Sequence, residues 1–289
     1  MFFEQLLNGL TLGSTYSLIA LGYTMVYGIL ELINFAHSEI YMIGAFIGLI
    51  MVSVYKLPFV LALLISMAGS CIVGITIEKI AYKPLRKSSR IAPLISAIGV
   101  SIFLQNAVLM LAGPQARPFP SGLNVTSLRF GPLRMSSLQL LILLVSIVLM
   151  IVLHFLMQKT KLGQAMRATA QDKEAAQLMG IKIDQVISFT FAIGSALGGA
   201  AGVLVGVYFD SVNPTMGFFP GLKGFVAAVL GGIGSIPGAM LGGLILGLVE
   251  MLGAVYMSRY KDAIAFAVLI FILLLKPTGL LGRRVQEKV

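Results

Sequence analysis

The sequence predicts an all-α protein, a polytopic bundle of about eight or nine transmembrane helices with broken or re-entrant segments and one helix outside the membrane. Composition is the first reason: 58% of the 289 residues are hydrophobic and 11% are charged, whereas soluble domains carry about 25% charged residues. The second is the succession of apolar runs from Leu6 to Leu281, each near the ~20 residues that a helix needs to cross about 30 Å of hydrocarbon. The third is that basic residues gather in the short polar breaks between those runs.

In chain order the apolar runs cover residues 5–30, 39–55, 59–81, 91–112, 136–157, 185–209, 218–234, 236–257 and 262–281. The start (Met1, Phe2, Phe3, Glu4) has no basic n-region, and its apolar run outlasts a signal-peptide core, so the first helix is expected to be retained. Two runs are short. Residues 39–55 barely reach membrane length, and 218–234 is interrupted by Pro220, Gly221, Lys223 and Gly224, a pattern expected of a broken or re-entrant helix. With no soluble segment of domain size left over, residues 1–289 read as one transmembrane domain.

The net charge of +10 does not point to nucleic acid, because it forms no continuous polar face. Most of the 21 basic residues fall in three regions: Lys79, Lys83, Arg86, Lys87 and Arg90; Lys159, Lys161, Arg167, Lys173 and Lys182; and Lys276, Arg283, Arg284 and Lys288. The positive-inside rule places all three in the cytoplasm, the C-terminus included. Residues 113–135, rich in turn formers (Gly113, Pro114, Pro118, Pro120, Gly122, Gly131, Pro132), become an external loop despite Arg117, Arg129 and Arg134. Nine crossings put the N-terminus outside and eight put it inside; outside is the expectation.

Gly194, Gly198, Gly202 and Gly206 recur every four residues and share one helix face. Gly234, Gly238 and Gly242, then Gly243 and Gly247, repeat the spacing, as do Gly9, Gly13 and Ser17. Small-residue seams let helix backbones approach closely, and plain packing accounts for them. A functional reading makes them a deformable wall around a path; sequence does not separate the two.

The longest polar insertion, 158–184, has the makings of a short helix: Thr169 as N-cap with Asp172 at N3, Glu174 in the first turn, and Gly180 as terminator before Ile181. Ala168, Ala175, Ala176 and Met179 supply small apolar contacts, ringed by Arg167, Lys173 and Glu174. Such a segment suits a solvated connection and equally a helix that plugs a groove on a partner.

Polar groups in apolar surroundings are candidates for a substrate path. The densest set is Glu31, Asn34, His37, Ser38 and Glu39, which the topology puts near the cytoplasmic end, where water satisfies it; a gate is the second reading. Tyr16 and Ser17 in the first run, Gln105 and Asn106 in the fourth, and Asn213, Pro214 and Lys223 around the interrupted seventh complete the pathway candidates with Asn34 and His37. Lys223 can neutralise a carboxylate or snorkel to an interface. Glu250 and His154 are expected near solvated helix ends, and Cys71 in core packing. No catalytic or metal-binding constellation and no GxxxxGK(S/T) loop occurs, so any ATP and magnesium would belong to another chain.

Glu174, Ala175, Ala176 and Gly180 look like the EAA-loop pattern of bacterial ABC importer permeases. The stretches GSTYSLIALGYTMVYG from Gly13, INFAHSEIYMIG (33–44), LISAIGVSIFLQN (94–106) and AVLGGIGSIPGAMLGGLILGL (228–248) make the match specific. The whole chain resembles the LivH-type branched-chain amino acid permease family, departing at Ser38, where relatives usually carry glycine. The resemblance implies a permease subunit of the inner membrane that forms half of a translocation pathway. Its partners would be a homologous second permease, two ATP-binding cassette subunits bearing ATP and magnesium, and a periplasmic or extracellular binding protein. Arg167, Asp172, Glu174, Ala175, Ala176 and Gly180 would then form a cytoplasmic coupling helix for the ATPase. Two other readings stay open: a proton-coupled secondary transporter using Glu31, His37, Glu39 or Glu250, and the same machinery carrying urea or short amides.

Overall fold

The computed structural model describes residues 2–282 other than 87, 90, 121, 124, 131 and 132. Lys87, Arg90, Arg283, Arg284 and Lys288 of the basic regions, and Gly131 and Pro132 of the expected external loop, lie outside the described residues. The chain is a helical membrane protein. Five stretches are long and apolar enough to cross a bilayer, 59–85, 91–112, 137–159, 183–208 and 236–275, while 37–53 and 218–231 form shorter apolar helices.

Each apolar run of the sequence becomes a helix. They are α1 (Phe2–Leu30), α2 (His37–Ser53), α3 (Phe59–Ile77), α4 (Ile91–Ala112) and α5 (Ser137–Lys159), then α8 (Ile183–Tyr208), α9 (Phe218–Gly231), α10 (Ile236–Met257) and α11 (Lys261–Leu275). Between α5 and α8 lie α6 (Lys161–Gln171) and α7 (Lys173–Leu178). Local chemistry sets several starts. Ser136 and Gln139 form a capping box on α5, and Ser235 caps α10 with Pro237 in its first turn, where a missing N–H is harmless. Short strands β1 (Arg117–Pro118), β2 (Ser127–Phe130), β3 (Leu133–Ser136) and β4 (Ser211–Val212) pair as β1–β4 and β2–β3, both antiparallel.

Glycine decides how the helices pack. α1 and α10 run antiparallel, with Gly9 against Leu248, Gly13 against Gly243 and Leu244, and Ser17 against Gly243. Ser17 Oγ donates to the Met240 carbonyl at 2.7 Å. α8 is the buried axis: its seam sets Gly194 on Gly22 of α1, Gly198 on the His37 ring, Gly202 on the Tyr41 backbone and Gly206 on Phe119 and Val212. Gly238 and Gly242 meet the backbone of Gly231 on α9. Lipid supplies no hydrophobic drive between helices, so such close contact is the main source of their association.

Both described basic loops come to one end of the bundle, where Lys83 and Arg86 pair with Asp184 at 2.8 and 2.7 Å. The segment after α11 returns to that end, its Leu280 and Leu281 N–H groups donating to the Leu230 and Gly231 carbonyls at 2.9 Å each. The β1–β4 pair ties the opposite end, linking the α4–α5 and α8–α9 connections.

Two expectations change. The seventh run is continuous, since Pro220 falls in the first turn of α9 and removes no helical hydrogen bond there. What shortens it is its starting point: Gly217 and Gly221 pack on Ser38 at the beginning of α2, inside the bundle. α2 likewise begins inside, its His37 ring wedged between Gly22 of α1 and Gly198 near the middle of α8. α2 and α9, of 17 and 14 residues, are therefore shorter helices whose N-termini meet, the one leading to the β1–β4 end and the other to the basic end. The serine at position 38 packs closely because its neighbours on α9 are glycines.

Candidate functional site

At the basic end, Thr160 caps α6 and Asp172 caps α7, accepting from the Ala175 N–H at 2.9 Å. The cap is thus Asp172 and not Thr169, which lies within α6 and donates to the Ala165 carbonyl. Asp172 wins because the chain is extended at that residue, the backbone shape an N-cap requires. Gly180, at φ +85°, ends the segment in the left-handed conformation that a side chain resists. Ala176 packs inward, whereas Leu178 and Met179 are 88% and 83% exposed. Beside α7 lies a cavity of about 670 Å³ lined in part by Leu30, Arg86, Lys173, Glu174, Gln177 and Asp184.

The base of this end is braced by ions that sequence reading did not join. Glu78, fully buried in a π-helical turn after α3, accepts from Arg86 and from Ser188 Oγ of α8. Arg86 also holds Asp184. These pairs tie the turn after α3 and the segment that carries Arg86 to the first turns of α8, the helix that follows α7 in the chain. Arg167 keeps a buried Nη1 without a hydrogen bond among the described residues.

At the α2–α9 junction the expected solvated cluster is largely interior. Asn34, His37, Ser38 and Glu39 are buried, and Glu31, at φ 59°, is the exposed member that turns the chain back. Asn34 Oδ1 accepts from Tyr82 Oη at 2.9 Å and the Ala36 N–H at 3.1 Å. His37 stands edge-on to Tyr23 at 4.8 Å between ring centroids. Glu39 Oε1 accepts from Ser101 Oγ of α4 at 3.2 Å and Ser38 Oγ at 3.3 Å. Re-entry of the chain, which short polar loops conceal in sequence, is why this cluster leaves the interface.

A second buried group lies between α1, α9, α10 and α11. Lys223 Nζ contacts Glu250 Oε1 and Asp262 Oδ1, each at 2.7 Å, and Tyr16 Oη donates to Glu250 Oε2 at 2.9 Å. Glu250 is 1% exposed. The expectation of a solvated Glu250 is corrected, and Lys223 neutralises a carboxylate instead of snorkelling alone. Lys223, Tyr16, Glu250 and Asp262 come from four different helices, so spacing in sequence held no signal for the group.

Other pathway candidates lie apart. Gln105 is half-buried on α4, and Asn106 is exposed on its outer face, its amide donating to the Ile102 carbonyl. Asn213 Oδ1 accepts from the Thr215 N–H and hydroxyl, forming the turn that leads into α9 beside buried Pro214. Cys71 is a partly buried free thiol.

A family model described as "Branched-chain amino acid transport system / permease component" matches residues 5–273. The chain is 48% identical over 302 aligned positions to the high-affinity branched-chain amino acid transport system permease protein BraD of Pseudomonas aeruginosa, covering 100% of this chain and 98% of that protein. It is 46% identical over 301 positions to the permease protein LivH of Escherichia coli K12, with the same coverage. A probable branched-chain amino acid transport permease protein of Methanocaldococcus jannaschii is 28% identical, over 92% of this chain and 88% of that protein.

Proposed function

We propose, from the premise that this chain belongs to the branched-chain amino acid transport system permease family, that it is the translocation subunit of an ATP-driven importer of branched-chain amino acids. The chain is a multi-pass membrane protein and its relatives are permease components, not enzymes. In this reading it forms one domain and half of a pathway in the inner membrane. It pairs with a homologous permease, two ATPase subunits that hold ATP and magnesium, and a periplasmic or extracellular binding protein. The proton-coupled reading is disfavoured by family membership.

The observation that carries the proposal is α7 at the basic end: an exposed helical turn, capped at Asp172 and stopped at Gly180, resting on a charge-braced base. An ATPase that grips Glu174, Ala175 and the bare Leu178–Met179 edge has a rigid lever into α8 and, through Arg86 and Glu78, into α3. Sidedness follows. The basic end is cytoplasmic, the N-terminus and the β1–β4 pair are outside, and nine passes are made, with α2 and α9 each completed by extended chain.

The substrate path in this reading runs by the α2–α9 junction, past Asn34 and His37, with Gln105 and Asn106 of α4 and the Asn213–Pro214 turn along the side facing the second permease. Tyr16, Ser17 and Lys223 line its inner support. Half-helices offer unpaired N–H groups and positive dipole ends in the middle of a bundle, which suits a zwitterion.

Gly180→Val forces a β-branched residue to φ +85°, and Glu174→Ala removes the exposed carboxylate of α7. Both variants should insert normally yet copurify with the ATPases at least about fivefold less, a loss of about 1 kcal/mol or more in docking. Pull-down from detergent-solubilised membranes, with uptake assayed in parallel, checks this; full ATPase recovery in both would remove α7 from the docking surface.

A further inference from the structure

We propose, resting on the importer reading above, that Glu39 is the group that receives the ammonium of the transported amino acid, with the N-terminus of α9 facing its carboxylate. Glu39 is 2% exposed and its two oxygens have unequal surroundings. Oε1 is held by Ser38 and Ser101. Oε2 is buried without a hydrogen-bond partner and points at Gly217, lying 3.3 Å from where a Cβ on that glycine would stand. Among the described residues no lysine or arginine pairs with this carboxylate, and the His37 ring is turned the other way, between Gly22, Gly198 and Tyr23.

A carboxylate in the first turn of α2 suits that helix's own dipole, which explains an acid at position 39. It does not explain the bare Oε2. A buried acceptor left unpaired is unfavourable, and at this depth its natural complement is a cation with several donors. On the facing element the N-cap of α9 is glycine, no side chain caps that helix, Pro220 in its first turn lacks an N–H, and none of its other N–H groups bonds Oε2. An α-amino group brings three donors to Oε2. Its carboxylate, two bonds away, would then lie toward the positive end of α9. Gly217, Gly221 and Ser38 keep the junction narrow, and exposed Phe35, Phe218 and Phe219 beside it offer apolar surface to a branched side chain.

The test uses the complete transporter, with its second permease, ATPases and binding protein, in proteoliposomes loaded with ATP. Glu39→Gln should assemble and keep ATPase stimulation by the loaded binding protein, while its L-leucine uptake falls about 10- to 100-fold, the range of a lost charge-assisted bond; Glu39→Asp should recover part of it. In a second measurement, L-leucine and its des-amino analogue 4-methylpentanoate are offered at millimolar concentration to the receptor-free complex in nanodiscs, read by saturation-transfer NMR. Wild type should favour leucine, and Glu39→Gln should lose that preference. Unchanged uptake and preference in Glu39→Gln overturn the proposal. So does a Glu39→Gln chain that fails to assemble when Glu39→Asp succeeds, because the carboxylate is then a structural link from α2 to α4. Failure of the wild-type complex to take up leucine with ATP is a different outcome, which strikes the importer reading itself.

Discussion

Glu250→Ala is expected to lower the folded-state stability by about 3 kcal/mol, the low end of the range for breaking a buried ion pair, because Lys223 would remain buried beside only one carboxylate. Asp262, 42% exposed, is a poorer partner, and Tyr16 Oη would lose its acceptor in the interior as well. Glu250→Gln should be milder, since it keeps the shape and an acceptor. The double variant Lys223→Met with Glu250→Leu should regain most of the loss by replacing the pair with apolar packing. Thermal midpoints from fluorescence-detected gel filtration check the order: alanine lowest, glutamine intermediate, the double variant near wild type. Equal midpoints would mean that water reaches the group and that the burial described above is wrong.

Gly202→Leu should be at least as severe. A Cβ at this position overlaps the carbonyl of Tyr41 and crowds the Ala45 N–H, all backbone atoms of α2, so no side chain can swing away. α2 and α8 would have to part along their length, at about 3 kcal/mol or more. Gly99→Leu is the matched control: nothing lies within 4 Å of a Cβ there, and a change within about 0.5 kcal/mol is expected. The yield of monodisperse protein from membranes measures both. Comparable yields would sink the assignment of the α8 seam to backbone packing.

Much of the fold was legible because lipid imposes a simple rule, a run of apolar residues per helix, and the nine runs each became one. The spacing Gly194–Gly198–Gly202–Gly206 likewise announced a close-packed face, though not its partners. Concealed were the features that depend on depth. A short loop such as 31–36 looks the same whether it caps a helix at the surface or folds back to start α2 inside the bundle, so His37 and Glu39 were expected near water. Pairings between distant helices were equally silent: Lys223 with Glu250 and Asp262, and Glu78 with Arg86 and Ser188, unite residues whose spacing follows no local period. Within the α7 segment the end was readable from Gly180, but the start was not: Thr169 was expected as the N-cap with Asp172 at N3, and the extended backbone at Asp172 makes that residue the cap instead.

The central claim is that this chain moves branched-chain amino acids by borrowing ATP hydrolysis from a partner through α7. Its most direct test is L-leucine uptake into proteoliposomes holding the purified complex and its binding protein, with ATP and magnesium enclosed and no ion gradient. ATP-dependent accumulation is expected, abolished when the ATPase subunits are omitted or when ADP replaces ATP. Accumulation driven by a proton gradient without any ATPase would contradict it.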